Sequence, residues 1–410
     1  MLQDAPAENR NAVRDPLWKH VYVDDALSEA LLSAPFMRLT RILQLGPTHL
    51  VYPGATHTRA AHSIGVYSVA CRLLDVLRAR GADSWTTPCG CASFRAAALF
   101  HDLGHFPYTH SLKELPLASH ESLSAEAVLR EPLCTHIRRS GGAPEQTAAI
   151  IDAAIAADDT ETLFFRRLLS GVLDPDKIDY LNRDAYFCGV PYGIQDTDYI
   201  FAQLLPDRDK GVVLESAALS AVENVLFSKY LMYRSVYWHR QVRVATALMK
   251  KAVFAALERG LLRAEQLYNA DDYAIHALLA RHGGSAAFPE YGCAQAVQSG
   301  RLYHIIYEVP FDDGNSRHRI LEHMRERTEA EARIAERLGI APHQLVIDVP
   351  ERISFESSLW ICDEGVSFAE SSTVFSSETV ASFTGTLRKI RCAAAVPVGK
   401  DSKTVIADFI

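Results

Sequence analysis

A chain of 410 residues, 48% hydrophobic and 22% charged, has the balance of a folded globular protein, which excludes a fibrous or disordered polymer. Its formal net charge of −8 gives no general attraction to a polyanion, so a phosphate-bearing ligand needs local basic residues or a cation, and nucleic acid is not the expected partner. No run of about 18 uncharged apolar residues appears, and the N-terminal MLQDAPAENRNAVRD has no basic stretch followed by an apolar one, so neither a membrane span nor secretion is expected and the cytoplasm is the default compartment.

In chain order, residues 1–15 are polar and are expected to form a flexible N-terminus. From about 25 to 270 apolar residues recur at three- and four-residue steps, the period of amphipathic helices, with breaks at Gly and Pro. In HSIGVYSVACRLLDVLRAR, His62, Val66, Val69, Leu73 and Val76 fall on one face. The reading is a helical core over 16–250 and a helical extension over 251–309. A charged helix is expected over roughly 316–338, with Gly339 at its C-cap and its Arg and Glu residues on a solvated face. QLVIDVP, RISFESSLWIC, GVSFAESS and LRKIRCAAAVPV then alternate or run β-branched, so 310–410 reads as a small α+β region; the fold class is mainly α with that appendage. Eight scattered cysteines, with Cys89 and Cys91 too close for a CxxC site, read as reduced thiols.

The segment HDLGHFPYTH, His101 to His110, concentrates chemistry. It follows the apolar helix SFRAAALF, and adjacent His and Asp side chains let a nitrogen and a carboxylate oxygen converge on one cation, with His105 four residues on sharing the face of His101. YPGATHTRAAHSIGV places His57, Arg59 and His62 at the opening of a helix, and GVLDPDKIDYLNRDAYFCGV punctuates an apolar region with acids.

These segments, together with DPLWKHVYVDDAL, RILQLG, SHES and MYRSVYWHRQV, resemble in order the motifs of HD-domain metal-dependent phosphohydrolases, and among them the deoxynucleoside triphosphate triphosphohydrolases. The likeness runs over about residues 13–245 and implies an HD-domain helical bundle. By position it implies the metal ligands His62, His101, Asp102 and Asp176, holding one divalent ion that sequence does not resolve among Mn, Fe, Mg and Zn, with room for a second Mg arriving with substrate. Asp174 and Asp179, beside Asp176, read as helix capping or surface charge.

The resemblance further implies phosphate contacts at Arg59, Lys177, Lys229 and Arg240, proton transfer by His110 and His120 with His105 in support, and sugar contacts at Gln44, Leu45, Tyr180, Asp184 and Tyr237. The expected activity is conversion of a dNTP to deoxynucleoside and inorganic triphosphate, by a homodimer or homotetramer. Two departures stand out. Lys113 occupies the position, three residues after His110, where relatives carry an acid, and Glu114 follows as a substitute one residue late. Thr40 replaces a basic residue linked to activation by a second nucleotide, which argues against that route. The alternatives are an HD-type phosphodiesterase or nuclease, a nucleotide monophosphatase, or a nucleotide-binding regulator with weakened catalysis.

Overall fold

The computed structural model describes residues 12–353 and 359–410 and is mainly helical. The His62 helix, Arg59–Ala79, is its centre: Thr58 caps it by accepting the Ala61 amide, and Val66, Val69, Leu73 and Leu77 are buried, with Val76 half-buried. By length and composition this helix could cross a membrane, but it lies mostly buried against the helices Pro88–Phe100 and Pro175–Cys188. Gly65 permits the second contact, because a Cβ there would collide with the side chains of Asp179 and Arg183.

Three features depart from the sequence reading in this half. Residues 12–15 are not a flexible end: Ala12–Asp15 pairs antiparallel with Lys19–Tyr22, and buried Asp15 accepts a hydrogen bond from Arg183 at 2.9 Å. A guanidinium with no exposure needs an anion beside it, and that demand pins the segment. Residues 1–11 lie outside the described residues. The long pattern NVLFSKYLMYRSVYWHRQVRVATALMKKAVFAALERG is two helices, Leu219–Met232 and Arg240–Glu258, joined by a π-helical turn over Tyr233–Tyr237. The expected boundary at 250 therefore falls inside one continuous helix, whose apolar face is shared with residues 262–297.

The C-terminal region holds a three-stranded antiparallel sheet in the order His304–Pro310, Lys389–Ala394, Leu345–Asp348, so the α+β unit begins at 304 rather than 310. It is not wholly an appendage. Trp360–Ile361 runs parallel to Gly211–Leu214 and extends a sheet of the helical half, while Phe368 and Phe375 pack into the main core. The expected strand in RISFESSLWIC lies partly outside the described residues.

The charged helix is broken into Ser316–Ile320 and Met324–Leu338; it ends as expected at Gly339, in the left-handed conformation at φ 68°. Its face is not fully solvated, because Arg327 and Glu331 are buried. Glu331 accepts from Lys251 Nζ at 2.7 Å and from the Ile347 amide at 2.7 Å, and Lys251 also donates to the carbonyls of Pro342 and Leu345. Arg327 meets Glu114 at 2.9 Å, and Arg243 forks onto Asp348. Acids and bases of one helix thus add buried charge to the apolar contact of Met324, Val346 and Ala393 that joins the C-terminal unit to Arg240–Glu258.

Candidate active site

Asp102 sits where the helix Pro88–Phe100 ends. His101 is its C-cap, and the chain turns away at once, so His105 does not share a helical face with His101 but folds back through a turn to place Nε2 at 3.1 Å from Asp102 Oδ1. The turn is built by its surroundings. Ser124 accepts the Gly104 amide at 2.7 Å and donates to the His101 carbonyl at 2.6 Å, and a Cβ on Gly104 would collide with the His120 carbonyl. Arg38 donates to the carbonyls of Leu103 and His105, both at 2.6 Å, and to that of Ala270 at 3.0 Å.

Four side chains meet at this point. His62 Nε2 lies 2.9 Å from Asp176 Oδ1 and 3.8 Å from Asp102 Oδ2; His101 Nε2 lies 3.3 Å from Asp102 Oδ1 and 3.8 Å from Asp176 Oδ1. Asp176 comes from the first turn of Pro175–Cys188, a helix capped by Asp174, whose carboxylate accepts the Lys177 amide at 2.6 Å. Both imidazoles are oriented from behind. His101 Nδ1 donates to the Ala98 carbonyl at 2.9 Å, and His62 Nδ1 donates to Asp179 Oδ2 at 2.8 Å, which turns each Nε2 lone pair toward the cluster.

His101 Nε2 is buried and makes no hydrogen bond, an orphan that a cation would satisfy. Burial pulls the His62 imidazole down, yet Asp176 and Asp179 overcome it and push it up to about 10. A lone pair that binds a proton so firmly among carboxylates is also one that suits a divalent cation. The ligand atoms of His62, His101 and Asp102 gather closely enough to hold one such ion, with Asp176 Oδ1 beside both imidazoles, and those of Asp102, His105 and His120 form a second such group; the identity of the ion does not follow from these donors.

Asp179 is a correction to the sequence reading. It is neither a cap nor surface charge: it is fully buried, accepts from Trp18 Nε1 at 2.5 Å, and receives a fork from Arg183 at 2.8 and 2.9 Å. Burial raises its carboxyl, but Arg183 and the His62 bond hold it below the usual range. Asp179→Asn is expected to weaken divalent-ion affinity about 10- to 100-fold without loss of any direct ligand, as measured by isothermal titration with Mn.

The cluster opens into a cavity of about 440 Å³. Arg59, Gln44, Leu45, His105, His110, His120, Tyr180, Asp184 and Tyr237 line it together with the four converging side chains. Lys177, Lys229 and Arg240 do not line it: Lys177 Nζ donates to Asp174 and the Gly171 carbonyl, Lys229 is buried on its helix, and Arg240 is exposed. The cavity also gathers residues that the sequence reading did not single out for it, including Tyr108, Tyr233, Arg243, Glu351 and Arg352. The last two come from the C-terminal region, and no local sequence signal announces that approach.

Two polar groupings lie off the cluster. Asp184 Oδ1 accepts from His57 Nε2 at 2.8 Å and Oδ2 from the Tyr237 hydroxyl at 2.7 Å; Tyr180 crosses Tyr237 edge to face. His105 stacks on His120 with ring centroids 4.0 Å apart, and His110 stands edge-on to both. Burial and the nearby Arg59 charge hold His105 well below the ordinary imidazole value. Glu114 does not substitute for the missing acid. Its carboxylate is held by Lys250 at 2.7 Å and by Arg327, and no bond from it to His110 occurs among the described residues.

The sequence matches the HD domain over residues 59–159 and the HD-associated region over 201–383. The chain therefore carries an HD domain followed by an HD-associated region. Among its relatives is the protein YwfO of Bacillus subtilis, 34% identical over 270 residues that make up 64% of this chain and 58% of that one. Another is the deoxynucleoside triphosphate triphosphohydrolase SAMHD1 of Gallus gallus, 24% identical over 62% of this chain and 47% of the relative. This chain therefore spans about half the length of the curated relatives it matches. Among solved structures, a hypothetical protein of Aquifex aeolicus superposes with a TM-score of 0.71 at 26% identity, covering 94% of this chain and 96% of that one. A phosphohydrolase of Bacteroides thetaiotaomicron shares the fold, with a TM-score of 0.72 at 22% identity, covering 94% of this chain and all of the other.

Proposed function

We propose that this cavity hydrolyses deoxynucleoside triphosphates to deoxynucleoside and inorganic triphosphate. The observation that carries the reading is the convergence of His62, His101, Asp102 and Asp176 at the floor of a cavity whose walls pair hydroxyl-binding groups with imidazoles. The likeness to SAMHD1 supports a dNTP as the substrate.

His62, His101, Asp102 and Asp176 would hold a divalent ion, which when bound would supply a Lewis acid for a phosphoryl oxygen and a lowered pKa for the attacking water. The protein's own groups do the rest. Arg59, braced on Asp102 at 2.8 Å, faces the phosphates and offsets the negative charge of the triphosphate while its α-phosphorus is attacked. The new bond joins the water oxygen to the α-phosphorus, and the bond from that phosphorus to the 5′ oxygen breaks. The 5′ oxygen then takes a proton, for which His110 and His120 stand in the cavity, with His105 held between Asp102 and His120.

Asp184, fixed by His57 and Tyr237, presents a carboxylate to a sugar hydroxyl, and Tyr180 and Tyr237 form the wall against which a 2′-hydroxyl would lose its hydration. Gln44 Oε1 is buried without a partner and faces the same space, ready to accept a hydrogen bond from substrate. Assembly as a homodimer or homotetramer in the cytoplasm is part of the same reading.

The test is incubation of the Mn- or Mg-loaded protein with the four dNTPs and GTP, with chromatographic separation of products. Deoxynucleoside with inorganic triphosphate is expected, and little turnover of GTP. Release of a monophosphate with pyrophosphate, or cleavage of oligonucleotides in place of dNTPs, would replace this reading by an HD-type phosphodiesterase.

A further inference from the structure

The cations around the cavity are not equivalent. The Lys and Arg residues in its wall are Arg59, Lys113, Arg243 and Arg352. Arg59 pairs with Asp102 through one guanidinium nitrogen at 2.8 Å. Arg243 forks onto Asp348 and reaches Glu351 at 3.2 Å. Arg352 pairs with Asp313 at 2.8 Å and Glu322 at 3.3 Å. Lys113 alone makes neither an ion pair nor a hydrogen bond among the described residues, and it is exposed.

The local structure explains how it is kept free. A single 3₁₀ turn, Thr109–Leu112, ends at Lys113, and buried Leu112 anchors it. The next residue, Glu114, is the carboxylate that would otherwise neutralise a neighbouring ammonium. It is drawn the other way, into the buried contacts with Lys250 and Arg327 that hold the C-terminal unit. Consecutive residues of opposite charge are thus divided, the acid to the domain junction and the base to the cavity. Lys113 also stands close enough to His110 and His120 for its charge to oppose protonation of both.

An uncompensated ammonium facing a cavity calls for an anion. The wall acids Asp102, Asp176, Asp184 and Glu351 match the wall cations in number, so the empty cavity has no excess positive charge to receive a polyanion, and three of the four cations already have carboxylate partners. A bound phosphate chain therefore finds in Lys113 the one wall cation that has no carboxylate partner among the described residues.

We propose that Lys113 is a substrate-binding residue that grips the phosphate chain of the substrate beyond the reacting phosphorus, and that it makes the site select a chain of phosphates over a single phosphate. This rests on the reading of the cavity as a triphosphate site.

The test is binding, without turnover, of inorganic tripolyphosphate and of orthophosphate to the Mn-loaded full chain and to Lys113→Gln, Lys113→Arg and Lys113→Glu, by calorimetric titration at fixed ionic strength. Lys113→Gln is expected to weaken tripolyphosphate about 10- to 100-fold and orthophosphate less than about 3-fold, with Arg restoring most of the loss and Glu deepening it. Tripolyphosphate binding that is unchanged in Lys113→Gln, or that falls in parallel with orthophosphate, would overturn the proposal. Because no catalysis is read, failure to release deoxynucleoside from dNTPs would refute the activity separately and leave this result standing.

Discussion

Asp102→Asn is expected to abolish hydrolysis, lowering kcat at least about 1000-fold at saturating Mn, because it removes the carboxylate that both histidines and Arg59 converge on. The loss should follow the ion. Asn keeps the shape of Asp but not its charge, so the ion is held weakly and the barrier regains several kcal/mol of lost charge stabilisation. Single-turnover rates across an Mn titration check it. Rates that recover fully at high Mn would show a defect of affinity alone, whereas a low plateau shows that the carboxylate also acts once the ion is bound. The residue is buried and paired with buried Arg59, so the companion variant Asp102→Glu, which retains charge at a changed reach, separates geometry from electrostatics.

The second large effect concerns the junction of the two halves. Glu331→Ala leaves the Lys251 ammonium buried without its anion and strips the Ile347 amide of its acceptor. Breaking a buried pair from one side costs about 3–5 kcal/mol, a large part of the stability of an ordinary domain. Urea denaturation followed by circular dichroism is expected to show the C-terminal unit melting first. Lys251→Met combined with Glu331→Leu should recover only part of the loss, since the Pro342 and Leu345 carbonyls and the Ile347 amide stay unpaired.

The neighbouring Glu351 adds a pH dependence. Burial opposes its ionisation, but Arg243 and Lys250 hold its carboxyl down to about 2 from an ordinary value of 4.5. A carboxyl lowered by folding contributes stability that is fully present above pH about 4.5 and is lost as the pH falls through about 2. Acid should therefore loosen this junction, and with it the cavity wall to which Glu351 and Arg352 belong.

The four side chains proposed to hold the ion were legible because each lies in a segment with its own local signal. His62 opens a helix behind a Thr cap, His101 and Asp102 close one, and Asp176 follows an Asp-Pro start. What joins them is tertiary and left no periodic trace. Asp179 reads as surface charge until Trp18 and His62, both distant in sequence, are seen to join Arg183, one turn further along its own helix, in surrounding it. The π-helical turn at Tyr233–Tyr237 is likewise invisible in a pattern that remains apolar at helical spacing on both sides.

The C-terminal region shows the opposite difficulty. Its strands in QLVIDVP and LRKIRCAAAVPV were legible from β-branched alternation, but the charges of ERTEAEARIAER look the same whether they face water or a complementary buried surface. The clue was the Lys250–Lys251 pair within the apolar run of Arg240–Glu258, two bases that a core helix would not keep without acids to meet them.

The measurement that bears most directly on the central claim is the metal content of the purified chain after loading with Mn and removal of free ion, read by mass spectrometry of the elements. The account predicts a tightly held divalent ion at the cluster, lost from His101→Ala and Asp176→Ala chains that retain the helical circular dichroism of the parent. A parent chain that holds no divalent ion under these conditions, or variants that hold it as the parent does, would contradict it.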